Sequence, residues 1–368
     1  MSSLTARRRA KGDAPLRVLL TVDPNIPVPP TLYGGIERIV DFLVRQLVQR
    51  GHEVTLFANP ASRTGAHLVP YGVPPHRGMR ARATELAQVG WGLWTRRNEA
   101  DVIHSFGRLA ALLPVLPLRD LPKIQSYQRD VVPWDSVRTA SRLAGDSLRF
   151  TGCSTSVYAL RPAVDGGTWH TVFNGVDTSK YDATQSVPAE APLVFLGRLE
   201  RMKGAHSAIR IARESGRRLV IAGNRVDGGD EPDYFEREIA PHVDGELVRY
   251  VGPVNDAQKN ALLGGAAALL MPIEWEEPFG IVMAEALACG TPVVGFRRGS
   301  VPEVVRDGVN GFACDTAEEA IALVPAAVAL DRAEVRRDCE ARFSDRVIAD
   351  AYVEIYRGML DARARSAA

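Results

Sequence analysis

Arg17 to Val22, RVLLTV, is an unbroken apolar run of strand length, and Val54 to Ala58, VTLFA, is another. Between them Ile36, Ile39, Val40, Leu43 and Leu47 recur at helical spacing until Gly51 stops the helix. Strand, helix and strand in so few residues form a βαβ unit, which commits the chain to a parallel sheet with helices over both faces. Asp101 to Ser105, Lys123 to Ser126 and Phe150 to Cys153 continue the series. A turn-rich stretch follows, VFNGVDTSKYDATQSVPAEAP, and then the alternation restarts at Leu193 to Leu196. Arg218 to Ala222, Tyr250 with Val251, Ala267 to Met271 and Pro292 to Gly295 are its further strands, and the chain after Thr316 is helical. The expected class is α/β, with two doubly wound Rossmann-like domains facing across a cleft. The boundaries read as a basic tail over 1–15, a first domain over 16–173, a linker over 174–191 and a second domain over 192–343. A helix over 344–368 is expected to cross back to the first domain.

A length of 368 residues suits two such domains. Hydrophobic residues make up 46% and charged residues 24%, and no apolar run is long enough to span a bilayer. The start, MSSLTARRRAKGDAP, has no apolar segment of the secretory kind and reads as a disordered tail, so a cytoplasmic protein is expected. Cys153, Cys289, Cys314 and Cys339 are scattered without a C-x-x-C pair, which argues against a zinc site or a disulfide framework. The net charge of +1 hides an asymmetry. Residues 1–170 hold 22 Lys and Arg against 13 Asp and Glu, and the rest hold 23 against 31. Halves of opposite sign attract across a cleft. The basic half also favours anionic partners, among them the inner face of an anionic membrane, where Arg7, Arg8, Arg9 and Lys11 would add weak peripheral contact. Nucleic acid is not expected. Trp91 and Trp94, at i and i+3, share a helix face that reads as core.

The chemistry concentrates in Met271 to Gly295, MPIEWEEPFGIVMAEALACGTPVVG. Glu274, Glu276 and Glu277 precede Pro278, Phe279 and Gly280, and Ile281 opens an apolar helix that contains Glu285. The open N–H groups of a helix start suit an anion or a polarised hydroxyl. A carboxylate inside that helix is costly unless something bonds to it. Two carboxylates flanking a helix start suit the hydroxyl groups of a sugar and of a ribose. Taken singly, Glu277 reads equally as a helix cap and Glu285 as a side chain bonded to nearby backbone. In FLGRLERMKG, Gly197 and Arg198 follow a strand and Lys203 falls at the next helix start, a set that suits a diphosphate. Gly34 and Gly35 stand at the turn into the first helix, which fits a tight turn as well as a phosphate loop. His104 ends a strand, where a ligand crevice opens, and Tyr127, Gln128 and Arg129 fall at the same end of the sheet.

With these residues in hand the chain resembles glycosyltransferase family 4, retaining nucleotide-sugar-dependent enzymes of the GT-B fold. The resemblance rests on GGIER, DVIH, NGVD, GRLERMKG, EPFGIVMAEALACGTPVVG and GSVPEVV, and so covers nearly the whole chain. It implies that Glu285 binds the ribose hydroxyls and that Glu277, Pro278 and the Phe279–Gly280–Ile281 backbone hold the donor sugar. Arg198 and Lys203 would bind the diphosphate beside Gly197, and the Gly34–Gly35 loop would cover it. Many members read D-V-I-H-x-H, whereas Phe106 stands in the second position here, so a donor contact falls to His104. The implied donor is a UDP-sugar, a substrate rather than a cofactor, and the acceptor a saccharide, a lipid-linked or a small-molecule hydroxyl compound. No D-x-D triplet occurs, so diphosphate neutralisation is expected from Arg198 and Lys203 without a metal. A phosphorylase, an epimerase and a noncatalytic sugar-nucleotide-binding module are the competing readings.

Overall fold

The computed structural model describes residues 14–30, 34–72, 78–226 and 233–367, and the basic stretch at Arg7 to Lys11 lies outside them. In the first half seven strands form one sheet: β1 (Arg17–Thr21), β2 (Glu53–Ala58), β3 (His67–Pro70), β4 (Val102–Ser105), β5 (Lys123–Tyr127), β6 (Leu148–Gly152) and β7 (Thr168–Thr171). Their order is β3-β2-β1-β4-β5-β6-β7, and every pairing is parallel. In the second half β8 (Leu193–Leu196), β9 (Leu219–Ala222), β10 (Val248–Tyr250), β11 (Ala268–Met271), β12 (Val293–Phe296) and β13 (Gly311–Cys314) form another parallel sheet, ordered β10-β9-β8-β11-β12-β13. The order reverses between β1 and β4 and between β8 and β11. At such switch points the loops leave in opposite directions and a crevice opens at the carboxyl ends of the strands.

The helices of the first half are α1 (Gly35–Gln49), α2 (Gly78–Thr95) and α3 (Trp134–Ala144). Those of the second are α4 (Ala205–Glu214), α5 (Asp256–Gly264), α6 (Ile281–Ala288), α7 (Val301–Val304), α8 (Ala317–Val328), α9 (Arg332–Phe343) and α10 (Asp345–Ala367). The apolar face of α1 fixes its place: Ile39, Val40, Leu43 and Leu47 are buried against β1 and β2. The last helix, α10, returns to this same core. Its Ile348, Ala349, Tyr352, Tyr356 and Met359 pack there, while Gln46 donates to Asp345 at 2.7 Å and Arg50 to Asp350 at 2.6 Å.

The segment joining the two sheets is tied down rather than loose. Val176 N–H donates to the Phe343 carbonyl at 2.8 Å, and Arg336 on α9 donates to the carbonyls of Thr178 and Tyr181 at 2.9 and 3.0 Å. No described helix is long and apolar enough to cross a membrane. One expectation fails in the helix that carries the tryptophans. Trp91 is 69% exposed, and only Trp94 packs inward, under the Arg97 guanidinium at 4.2 Å. The core face of α2 consists instead of Val89 and Leu93, with Gly90 and Gly92 admitting Pro114 and Phe57.

Candidate active site

The acidic cluster before α6 divides by partner. Glu274 takes His206 Nε2 at 2.9 Å, Glu276 accepts the Gly299 N–H at 2.6 Å, and Glu277 alone turns inward. There its Oε2 meets Lys203 Nζ at 2.5 Å and the Trp275 indole N–H at 3.1 Å, while the same ammonium lies 4.4 Å from the Trp275 ring centroid. A carboxylate so placed needs both neighbours, because burial strips it of water. Gly299 fixes its backbone from behind: a Cβ there would come within 2.2 Å of the Glu277 carbonyl oxygen.

Gly280, with φ of 67°, makes the left-handed turn into α6, and no side chain caps that helix. Glu277 is therefore not a cap, and the first N–H groups of α6 are open to a ligand. Glu285 lies deeper in α6, where the Tyr181 hydroxyl donates to it at 2.7 Å and Lys259 on α5 closes a tight ion pair. It bonds side chains, not neighbouring backbone. Burial, then the adjoining Glu285 charge, raises the Tyr181 hydroxyl pKa, so tyrosine stays a donor.

The first domain reaches this place at several points. Gly34, at φ of 151°, leads into α1, and a Cβ on Gly35 would lie 3.1 Å from Ile281 Cδ1. Arg38, one turn further along α1, pairs with Asp256 on α5 at 3.0 Å. The Ser154 hydroxyl donates to the Pro278 carbonyl at 2.6 Å, and Glu303 on α7 accepts the N–H groups of Thr155 and Ser156 at 2.9 and 3.1 Å. Phe279 is buried between Phe173 and Phe343, with centroids 6.2 and 5.7 Å away, and acts as a wedge at the domain junction. Gly197 leaves β8 with its N–H on the Ala222 carbonyl, and Arg198 beside it pairs with Glu200 at 3.0 Å while remaining half-exposed.

Two family models divide the chain between them: "Glycosyltransferase Family 4" matches residues 33–180 and "Glycosyl transferases group 1" matches residues 181–342. An alpha-maltose-1-phosphate synthase of Mycolicibacterium smegmatis is 31% identical over 89% of this chain and 96% of its own length. The chain belongs to glycosyltransferase family 4. Among solved structures, AviGT4, a glycosyltransferase involved in avilamycin A biosynthesis, superimposes with a TM-score of 0.69 at 28% identity over 94% of this chain and 98% of the other. Anabaena HepE, solved in complex with UDP and glucose, shares the fold with a TM-score of 0.67 at 18% identity over 92% of this chain and 99% of the other. The protein is thus a GT-B glycosyltransferase, and the two sheets are the two halves of that fold.

In this glycosyltransferase one expected site residue is not at the cleft. His104 is fully buried, with Nδ1 2.6 Å from the Tyr356 hydroxyl and Nε2 2.7 Å from the Ser126 hydroxyl. Both ring nitrogens are taken, Phe106 and Tyr352 cover its faces at 4.3 and 4.8 Å, and burial drives its pKa down to about 3. A neutral histidine so enclosed ties α10 to β4 and β5 and has no nitrogen left for a donor sugar. Lys259, Tyr181, Trp275, Arg38 and Asp256 are the residues that sequence reading missed. Each is recognisable only by what it touches. The capping box of Asn255 and Gln258 at the start of α5 was the single local sign that Lys259 sits on a firmly set helix.

Proposed function

We propose that the enzyme transfers a sugar from a UDP-sugar to a hydroxyl acceptor with retained anomeric configuration and without a divalent metal. The observation that carries this reading is the pair of buried carboxylates on either side of the α6 start, each held by a lysine from another element. On this reading the ribose hydroxyls replace part of the Glu285 bonding. The donor sugar lies along Glu277 and the Gly280–Ile281 backbone. The diphosphate sits against Lys203, Arg198 and the open N–H groups of α6, under the Gly34–Gly35 turn.

Charge develops on the leaving diphosphate as the C1–O bond breaks, and fixed cations lower that barrier because they are in place before the reaction starts. The acceptor oxygen bonds to C1 on the face that the diphosphate leaves, and its proton passes to a departing diphosphate oxygen. The first domain supplies the acceptor. Titration calorimetry with UDP, GDP, ADP and TDP and their sugars tests the donor, with UDP expected to bind tightest. The anomeric configuration of the product, read by proton NMR couplings, tests retention. Turnover is expected to persist in EDTA and to fall at least tenfold in Arg198→Ala. Loss in EDTA that magnesium or manganese restores, or an inverted product, would overturn the corresponding part of the proposal.

A further inference from the structure

At the carboxyl ends of β1, β4 and β5, where the first sheet reverses its order, lies a cavity of about 660 Å³. Ile36 and Glu37 line it, and they follow directly on Gly35, whose position would bring a Cβ against Ile281 of α6. The cavity therefore opens beside the proposed donor site. Its walls are largely aliphatic and aromatic: Ile26, Ile36, Phe106, Leu109, Leu113 and Val131. At the outer part, Leu113 is 55% and Val131 74% exposed, which leaves an apolar rim facing water. Phe106, which covers one face of His104, lines this space as well.

Polar groups share the lining with these walls. Tyr127 and Gln128 are among the lining residues, and the Tyr127 hydroxyl and both amide atoms of Gln128 are buried with no hydrogen-bond partner among the described residues. Three such atoms are costly to leave unpaired, and a ligand with hydroxyl groups would satisfy them. Asp23 and Glu37 add carboxylates, and Arg108 and Arg129 add guanidinium groups. Burial first, and then the Asp23 charge, hold the Glu37 pKa above its ordinary value, against the pull of a backbone hydrogen bond and, less, of Arg129.

We infer that this cavity takes an amphipathic acceptor: a hydroxylated head against Tyr127, Gln128 and Glu37, and an uncharged apolar body along Phe106, Leu109, Leu113 and Val131. The inference rests on the proposed donor site, since the reacting hydroxyl has to face α6. A free saccharide leaves the apolar walls unused. The discriminating probes share one head and differ in the tail: methyl, phenyl and hexyl glucoside, with glucose 1-phosphate as the charged case.

Titration calorimetry, run with and without UDP, is expected to show hexyl and phenyl glucoside binding at least tenfold more tightly than methyl glucoside. Leu113→Asp and Val131→Asp change exposed side chains and are expected to bring the hexyl compound close to the methyl one, while melting temperatures confirm folding. Equal affinity for all tails, tightest binding of glucose 1-phosphate, or a tail preference untouched by both substitutions would overturn the inference. Because probe binding is read directly and UDP is titrated separately, failure of the donor reading shows as absent nucleotide binding and is not confused with failure of the acceptor class.

Discussion

Glu285 shows how one side chain serves the fold and the site together. Its carboxylate holds Tyr181 and Lys259, so removing the charge affects both. Glu285→Gln keeps an acceptor for Tyr181 and loses the ion pair. Stability is expected to fall by roughly 1–3 kcal/mol, and the dissociation constant for UDP to rise at least tenfold in titration calorimetry. Unchanged UDP affinity would remove Glu285 from the ribose site. His104 makes the opposite case, a residue of the fold alone. Burial holds its pKa at about 3 against the ordinary 6.5, so the unfolded chain takes up the proton first. The stability it contributes is complete above pH 6.5 and is lost as pH falls toward about 3. Urea unfolding at pH 7.5 and 5.5 is expected to show wild type losing about 1.4 kcal/mol more than His104→Asn over that interval. Parallel pH slopes for the two proteins would show that the histidine is not held neutral.

At the scale of elements, the strands that sequence reading found are mostly interior ones, and those it missed are β3, β7 and β13. All three lie at sheet edges. An interior strand of a parallel sheet is covered on both faces and reads as a continuous apolar run, whereas HLVP and TWHT are partly exposed and carry no such run. The turns around α6 and α7 show a second limit. Gly299 was legible as a glycine, but not that it packs on the Glu277 backbone at a φ of 54°. An alanine there is strained and also drives Glu277 from its place. Gly299→Ala is expected to raise the donor KM at least tenfold. Gly308→Ala, at a φ of 77° with open space around it, is expected to cost about 1 kcal/mol of stability and no donor affinity. Similar donor KM values in the two variants would mean that the Gly299 contact does not position Glu277.

Across the whole molecule, the opposed charges of the two halves become specific pairs: Arg38 with Asp256, Arg45 with Asp177 and Arg50 with Asp350. The first of these bridges the cleft beside Glu285. Both partners are partly exposed, so solvent screens the pair. A double-mutant cycle of Arg38→Ala and Asp256→Ala on UDP affinity is expected to give a coupling of about 0.5–1 kcal/mol that shrinks as salt rises. Additive effects would show that the pair does not help hold the cleft closed over the donor. Sequence alone determined the two parallel sheets and the placing of Glu277 and Glu285 on either side of the α6 start. These follow from local apolar period and from glycine and charge at strand ends, which a chain carries in its neighbours. Tertiary structure alone decided that Lys203 meets Glu277, that Lys259 and Tyr181 hold Glu285, and that Trp91 faces water. It also withdrew His104 into the core and left the wall of the first-domain cavity to Phe106. Those outcomes depend on which residues distant in sequence meet across the cleft and beneath α10, and no spacing along the chain encodes that meeting.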